Sequence, residues 1–297
     1  MSLWLNALDA EQNYGLLGAY PGADGWKILI DGNNNDWSTR TPLMQGDGAL
    51  KALYAEADEA YLYLAIERRG DDEIVLGIDT YSEERGSHRF PSDIDQSSAI
   101  GMEFVVRLNG DDSSQILIDR PYDLFSNRLR RPYQSRANDL GDFVEIVTYT
   151  NRDRYGRDGT YFPPKGYSRS PLRHGSLDPK ASDFNDLADW KRSADGRWIE
   201  LRLPWGLLNI ADPSSHRVIH ETDRTEGRVQ TKRTKGFRFH LLNVDRGRVT
   251  DRLPQRDRLD AYPTYRWAGW EQPSYRLEKK PSYKIFKKAL AELPTQN

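Results

Sequence analysis

Aromatic side chains near the C-terminus offer the clearest binding chemistry in this 297-residue chain. They are Tyr262, Tyr265, Trp267, Trp270 and Tyr275, with Pro263, Gly269 and Pro273 between them. The prolines and the glycine disfavour a regular strand or helix. Flat aromatic faces suit the apolar C–H faces of sugar rings. The cluster therefore predicts a saccharide-binding surface to which Trp37 adds a ring, and the alternative is that these rings fasten a C-terminal wrap to the domain.

Two acidic loops could hold a cation. The first reads Asp31-Gly32-Asn33-Asn34-Asn35-Asp36, and the second runs from Asp79 to Glu84. Calcium takes about six to eight oxygen ligands, which Asp and Asn side chains supply from loops. We therefore predict a structural calcium ion with Asp31, Asp36 and Asp79 as ligands. The alternatives are an Asn- and Asp-rich turn that hydrogen-bonds its own backbone in the first loop, and a solvated loop in the second.

No motif in the sequence indicates catalysis. The absence of cysteine excludes disulfides and thiolate chemistry. His216 and His220 are four residues apart, which on a strand is about 13 Å and too far to share a metal. There is no glycine-rich phosphate loop, no Gly-x-Ser-x-Gly elbow and no His-Glu-x-x-His. A non-catalytic protein is therefore favoured, while a glycan hydrolase or lyase that uses carboxylates from long loops stays open.

Charge and hydropathy limit the classes of partner. The net charge of −2 gives no overall field that would attract nucleic acid or an anionic membrane. The basic stretch 216–238 lacks aromatics between His216 and Gly236, so base stacking is not expected there. The sequence contains no run of about 18 apolar residues, which is the length needed to span a bilayer. A cysteine-free chain fits several compartments, and an extracellular or cell-envelope location is slightly favoured.

The elements that must position these residues follow a period of two. Leu62, Leu64 and Ile66 share one face, and Ile199, Leu201 and Leu203 alternate with polar residues. This pattern is typical of antiparallel strands with one wet face. An unbroken alternation also predicts one strand from Ile100 to Leu108. We therefore predict a mainly β protein, an antiparallel, jelly-roll-like β-sandwich with long loop insertions.

The predicted organisation has three parts. Residues 1–22 form an irregular or partly helical arm, residues 23–250 form the sandwich, and residues 251–297 wrap back onto it. A long Arg-, Asp-, Gly- and Pro-rich excursion covers 150–190, and loops of this length are usually functional or mobile. The spacing of Tyr283, Phe286, Leu290 and Leu293 predicts a short amphipathic C-terminal helix, which Ser282 could cap.

Several short motifs carry a family resemblance when they are taken in order. They are Ile30-Asp31-Gly32 with Asp36-Trp37, Ala52-Leu53-Tyr54, Tyr61-Leu62-Tyr63-Leu64, and the run from Trp198 to Trp205. This order resembles family-nine carbohydrate-binding modules and the related DOMON-like sandwiches, over about residues 26–210. The resemblance implies a β-sandwich that binds saccharides through stacked aromatics and often holds structural calcium.

The residues and the resemblance together favour a non-catalytic carbohydrate-binding module. Its partner would be a saccharide or polysaccharide, and it would belong to a larger polysaccharide-processing or cell-surface protein with upstream domains. The rivals are a glycan-active enzyme and a purely structural or interaction domain. Solvent exposure of Trp267 and Trp270 distinguishes a binding role for these rings from a packing role.

Overall fold

The computed structural model describes residues 17–21, 28–80, 85–123, 141–151, 153–219, 231–271, 275–279 and 281–292. Its strands are β1 (Leu17–Pro21), β2 (Met44–Gln45), β3 (Leu50–Ala57), β4 (Tyr61–Arg68), β5 (Glu73–Asp79), β6 (Ser87–Arg89), β7 (Ser97–Met102), β8 (Phe104–Leu108), β9 (Gln115–Asp119), β10 (Phe143–Glu145), β11 (Val147–Tyr149), β12 (Arg154–Tyr155), β13 (Tyr161–Phe162), β14 (Gly166–Ser168), β15 (Trp190–Arg192), β16 (Trp198–Pro204), β17 (Ile210–Asp212), β18 (Arg217–Ile219), β19 (Thr231–Arg233), β20 (Arg238–Asp245), β21 (Arg248–Leu253) and β22 (Tyr275–Lys279). One α-helix, α1, covers Pro281–Ala291, and short 3-10 turns cover Arg120–Tyr122, Trp205–Leu208 and Leu259–Ala261.

Two antiparallel sheets make up the body of the protein. A five-stranded sheet has the order β15-β16-β4-β3-β2, and a six-stranded sheet has the order β10-β9-β8-β5-β20-β21. Their facing sides share one buried core, to which the first contributes Leu64 and Leu201 and the second contributes Leu76, Val106 and Leu241. The predicted mainly β, antiparallel sandwich is therefore confirmed.

The outer face of the five-stranded sheet is covered rather than wet. Tyr63 and Ala65 of β4 lie on this face and pack with Ile28, Ile30 and Trp37. The polar residues that alternate along β16, Glu200 and Arg202, are buried under the same cover. The prediction of a solvent-exposed face for this strand is wrong. A loop without the alternation of a strand supplies the apolar residues that cover it.

The predicted single strand from Ile100 to Leu108 is two strands that meet at Glu103. Phe104 and Val106 enter the core between the sheets, whereas Ile100 and Met102 join a second cluster on the outer face of the six-stranded sheet. The chain bends where the Glu103 N–H donates to Ile78 O and its carbonyl accepts from Asp119 N. Apolar residues continue through the bend, so the alternation of the sequence does not reveal the change of face.

The two ends of the described chain pair with each other. Strand β1 is antiparallel to β22, with Ala19 opposite Leu277. Residues 17–21 are thus a strand rather than an irregular or helical arm, and residues 1–16 lie outside the described part. The predicted C-terminal helix is present, but it begins at Pro281, one residue before the proposed Ser282 cap. Proline suits a first helical turn, whose N–H groups have no partner within the helix. Leu293 lies outside the described residues. No helix in the described ranges is long and apolar enough to cross a bilayer.

The first part of the predicted excursion is a projecting hairpin, residues 147–168. Strand β11 pairs with β14, and β12 pairs with β13 beyond it. Between the pairs, Asn151 donates to Pro163 O and accepts from Lys165 N. At the tip, Gly156 N–H donates to Thr160 O. Beyond its base, most side chains on both arms of the hairpin are exposed.

Candidate functional site

Trp267, the centre of the predicted aromatic cluster, lies in the core. Its side chain is 8% exposed, and its indole N–H donates to Pro213 O at 2.8 Å. Its ring lies 4.7 Å from the Trp205 ring and 5.2 Å from the Phe237 ring, centroid to centroid. A ring enclosed in this way has no face open to a sugar.

Tyr262 is also buried, and its hydroxyl belongs to a polar network. It donates to Asp257 Oδ1 at 2.5 Å and lies 2.9 Å from His240 Nδ1. Burial and the Asp257 carboxylate raise the pKa of Tyr262, and burial lowers the pKa of His240 to about 4. Both side chains are therefore neutral at physiological pH.

Tyr265 and Trp270 are only partly buried, and both pack against the main core. The backbone of Tyr265 exchanges two hydrogen bonds with Phe237, and Trp270 N–H donates to Ser214 O. The stacking role stays a prediction for these two residues. For Trp37, Tyr262 and Trp267 the buried position does not support it.

The loop that follows Ile30 is organised around a buried carboxylate. Glu200 Oε2 accepts from the backbone N–H of Asp31 at 3.0 Å and of Gly32 at 2.6 Å. Its Oε1 accepts from the indole N–H of Trp37 at 2.8 Å. Asp31 in turn accepts from Asn33 N, and Asp36 accepts from Leu29 N. The loop's polar groups therefore bind one another and Glu200.

The pKa of the Glu200 carboxyl group is raised toward neutral pH. Burial raises its pKa to about 7, while the hydrogen bonds from Trp37, Gly32 and Asp31 act in the opposite direction. These three N–H donors stabilise the ionised form, and the closed surroundings stabilise the neutral form. The loop is thus held by a group whose charge changes within the physiological range.

Asp79, the third predicted metal ligand, lies on the opposite outer face of the sandwich. It follows Ile78, which enters the central core, so its side chain faces away from that core. Glu103 lies beside it, and burial together with the Asp79 carboxylate raises the pKa of Glu103 well above its ordinary value. A neutral Glu103 needs no cation to balance it.

The three predicted cation ligands lie on different sheets. Asp31 and Asp36 lie over the five-stranded sheet, and Asp79 lies on the six-stranded sheet, so the three cannot share one ion. Across the ranges that the structure describes, no three His, Asp or Glu side chains are arranged to hold a metal. Structural calcium stays a prediction.

Four exposed aromatic side chains lie on the 147–168 hairpin. Tyr155 is 73% exposed and Tyr161 is 48% exposed. These two are cross-strand partners, with ring centroids 5.1 Å apart and planes at 44°. Phe162 and Tyr167 are exposed on the same hairpin. The length of this excursion predicts a functional or mobile loop, but it does not indicate these rings. Aromatic residues spaced along a polar, Gly- and Pro-containing stretch are the sequence signal that does indicate them.

A groove of about 510 Å³ lies where β2 meets the segment after β21. Gln45, Gln255, Arg256 and Asp260 contribute polar groups to its lining, and Leu43, Met44 and prolines contribute apolar ones. No aromatic ring lines it. It can offer hydrogen bonds to a ligand, but it has no surface for stacking.

No family model matches the chain, and no curated protein matches its sequence.

Proposed function

We propose that this protein is a non-catalytic saccharide-binding module, and that the rings of the 147–168 hairpin contact the ligand. The observation that carries this proposal is the Tyr155–Tyr161 pair, two adjacent rings with open faces. Stacking on sugar C–H faces needs aromatic rings that solvent can reach. We also propose that the module serves a larger polysaccharide-processing or cell-surface protein.

The clustering of these rings supports a binding role. Eight large hydrophobic side chains are exposed in the described residues, and four of them are on this hairpin: Tyr155, Tyr161, Phe162 and Tyr167. Scattered exposed apolar residues need no explanation, but a group of them indicates an interaction surface. The described part of the chain also offers the Tyr155 and Tyr161 hydroxyls no hydrogen-bond partner, which leaves them available to a ligand.

The buried acids do not favour a catalytic function. Glu103, Asp119 and Glu200 are all closed off from solvent. A general acid or base must come within hydrogen-bond reach of its substrate. We therefore regard these three carboxylates as structural and propose no second function.

A glycan array of the full chain, with and without calcium, tests the proposal. We expect binding by the wild type and loss of binding in the Tyr155→Ala, Tyr161→Ala double variant. Phe184→Ala is the matched control, because Phe184 is also 48% exposed but lies outside the hairpin. Calcium-dependent binding would support the predicted cation, and calcium-independent binding would count against it.

Two outcomes would overturn the proposal. One is a wild type that binds no glycan in either condition. The other is a double variant that binds as well as the wild type, because the hairpin rings would then not be the contact surface. A circular dichroism spectrum of the double variant should match that of the wild type, since the substitutions are at exposed positions.

A further inference from the structure

The 147–168 hairpin carries positive charge that the fold does not neutralise. Arg154, Arg157 and Lys165 are exposed, and none of the three forms an ion pair with a carboxylate in the described residues. Other cations of the protein do form ion pairs, as Arg107 with Glu73 and Arg120 with Asp142. The hairpin cations are therefore free to bind an anion from outside.

Two of these cations lie over the exposed rings. Arg154 Cζ is 5.3 Å from the centre of the Phe162 ring, and Lys165 Nζ is 5.2 Å from the centre of the Tyr167 ring. Cation–π attraction favours this arrangement. A hydrogen bond with Tyr167 raises the pKa of Lys165, so the amine stays charged. Stacking surface and positive charge thus occur side by side.

The sequence of the hairpin also has a positive net charge. Residues 147–168 hold four cationic residues (Arg152, Arg154, Arg157 and Lys165) and two acidic ones (Asp153 and Asp158), a net charge of +2 in a chain of net charge −2. The Asp158 carboxylate accepts from the Thr160 N–H and hydroxyl, so it is occupied within the tip. The hairpin is a local positive region of a slightly acidic protein.

The tilt of the paired rings limits the shape of the ligand. The Tyr155 and Tyr161 planes meet at 44°, so they form a twisted platform rather than a flat one. Successive rings of a single, twisted polysaccharide chain can each meet one face of such a platform. A flat, crystalline glycan surface would require coplanar rings.

We propose that the hairpin binds a single chain of an anionic, uronic-acid-containing polysaccharide. This inference rests on the saccharide-binding function proposed above. Tyr155 and Tyr161 stack on sugar rings, and Arg154, Arg157 and Lys165 bind the carboxylates that those sugars carry. Arginine forms paired hydrogen bonds with carboxylates.

Isothermal titration calorimetry of the full chain can separate the contribution of stacking on sugar rings from that of charge. The test ligands are polygalacturonate and the same polymer with its carboxyls methyl-esterified, which keeps the sugar backbone and removes the charge. The test variant is Arg154→Gln, Arg157→Gln, Lys165→Gln. The control variant, Lys180→Gln, Lys235→Gln, Arg266→Gln, removes equal charge from exposed positions outside the hairpin.

We expect the wild type to bind polygalacturonate at least about tenfold more tightly than the esterified polymer, with affinity that falls as salt rises. The hairpin variant should lose that preference, and the control variant should keep it. Dextran sulfate and a single-stranded DNA oligonucleotide are two further test ligands. Both should bind more weakly than polygalacturonate, and Tyr155→Ala should not change their binding.

Equal affinity for the charged and esterified polymers would overturn the anionic ligand while leaving the saccharide function intact. Tighter binding of dextran sulfate would replace the uronate with a sulfated ligand. Tighter binding of DNA would replace the saccharide with a nucleic acid and overturn both proposals. Absence of binding to every glycan, here and on the array, would overturn the proposed function itself.

Discussion

Two groups of aromatic residues in this protein have similar composition and opposite positions. In the C-terminal segment, Trp267 is buried in the core between the sheets, and Tyr262 is buried in the cluster on the outer face of the six-stranded sheet. On the 147–168 hairpin, Tyr155 and Tyr161 project into solvent. Aromatic density along the sequence therefore does not indicate which group is available to a ligand.

The polar atoms of the rings separate the two groups more clearly. The Trp267 indole N–H donates to Pro213 O, and the Tyr262 hydroxyl donates to Asp257. The hydroxyls of Tyr155 and Tyr161 have no such partner among the described residues. Buried polar groups need internal hydrogen bonds, so a ring whose polar atom is satisfied within the fold has a structural role.

The sharpest test of the comparison substitutes one ring from each group. Trp267→Ala should lower the free energy of unfolding by about 3–5 kcal/mol, because it leaves a cavity beside Trp205 and Phe237. Tyr155→Ala should change it by less than about 0.5 kcal/mol. Urea unfolding followed by far-UV circular dichroism measures both. Similar decreases in the free energy of unfolding of the two variants would contradict the assignment of Trp267 to the core and of Tyr155 to the exposed surface.

A second test concerns Trp37, the buried ring that Glu200 anchors. Glu200→Gln should cost on the order of 1–3 kcal/mol at pH 5, because one oxygen of the carboxyl group is replaced by an NH₂ group, which cannot accept the N–H bonds made to that oxygen.

The same variant should also alter the pH dependence of stability. The folded pKa of Glu200, about 7, lies above the ordinary value of 4.5, so between these values the folded state binds more protons than the unfolded state. Its stabilising contribution is complete below pH 4.5 and declines as pH rises through about 7. Unfolding titrations from pH 4.5 to pH 8 should show this decline in the wild type and not in Glu200→Gln. Glu67→Gln, at a half-buried glutamate on neighbouring β4, is the control and should keep the wild-type slope.

The smallest expected effect on stability comes from removing a single tyrosine hydroxyl from each group. Tyr262→Phe removes the hydrogen bonds to Asp257 and His240 and should cost about 1–2 kcal/mol. Tyr161→Phe removes a hydroxyl with no partner among the residues that the structure describes, and it should be neutral within about 0.5 kcal/mol. Thermal unfolding at pH 7 distinguishes them. A neutral Tyr262→Phe would show that the network does not stabilise the fold.

The sandwich strands were predictable because their alternation is local. Leu62, Leu64 and Ile66 lie on one face of β4 as their spacing indicates, and Ile199, Leu201 and Leu203 do the same in β16. The bend at Glu103 was not predictable, since apolar residues of the same parity continue on both sides of it. Which face of a strand is wet also depends on what covers it, as buried Glu200 and Arg202 show.

The candidate site was harder to locate from the sequence than the fold. Whether a tyrosine is exposed depends on chain segments that are distant in sequence. The backbone of Tyr265 is hydrogen-bonded to Phe237 of the main core, whereas Tyr155 pairs with Tyr161 of its own hairpin. The acidic loop after Ile30 resembled a cation site because of its composition, but its N–H groups bind Glu200 and its Asp oxygens accept from its own backbone.

The contact between Gly32 and Glu200 joins residues 168 positions apart, which has a consequence for the order of folding. Contacts of such long range form late, because the intervening chain must first be placed. During synthesis, the loop near the N-terminus must wait for β16 to emerge and pair with β4 before it gains its anchor. A fragment that ends before Trp198 would leave the Trp37 indole and two backbone amides without their acceptor, however well the earlier strands had formed.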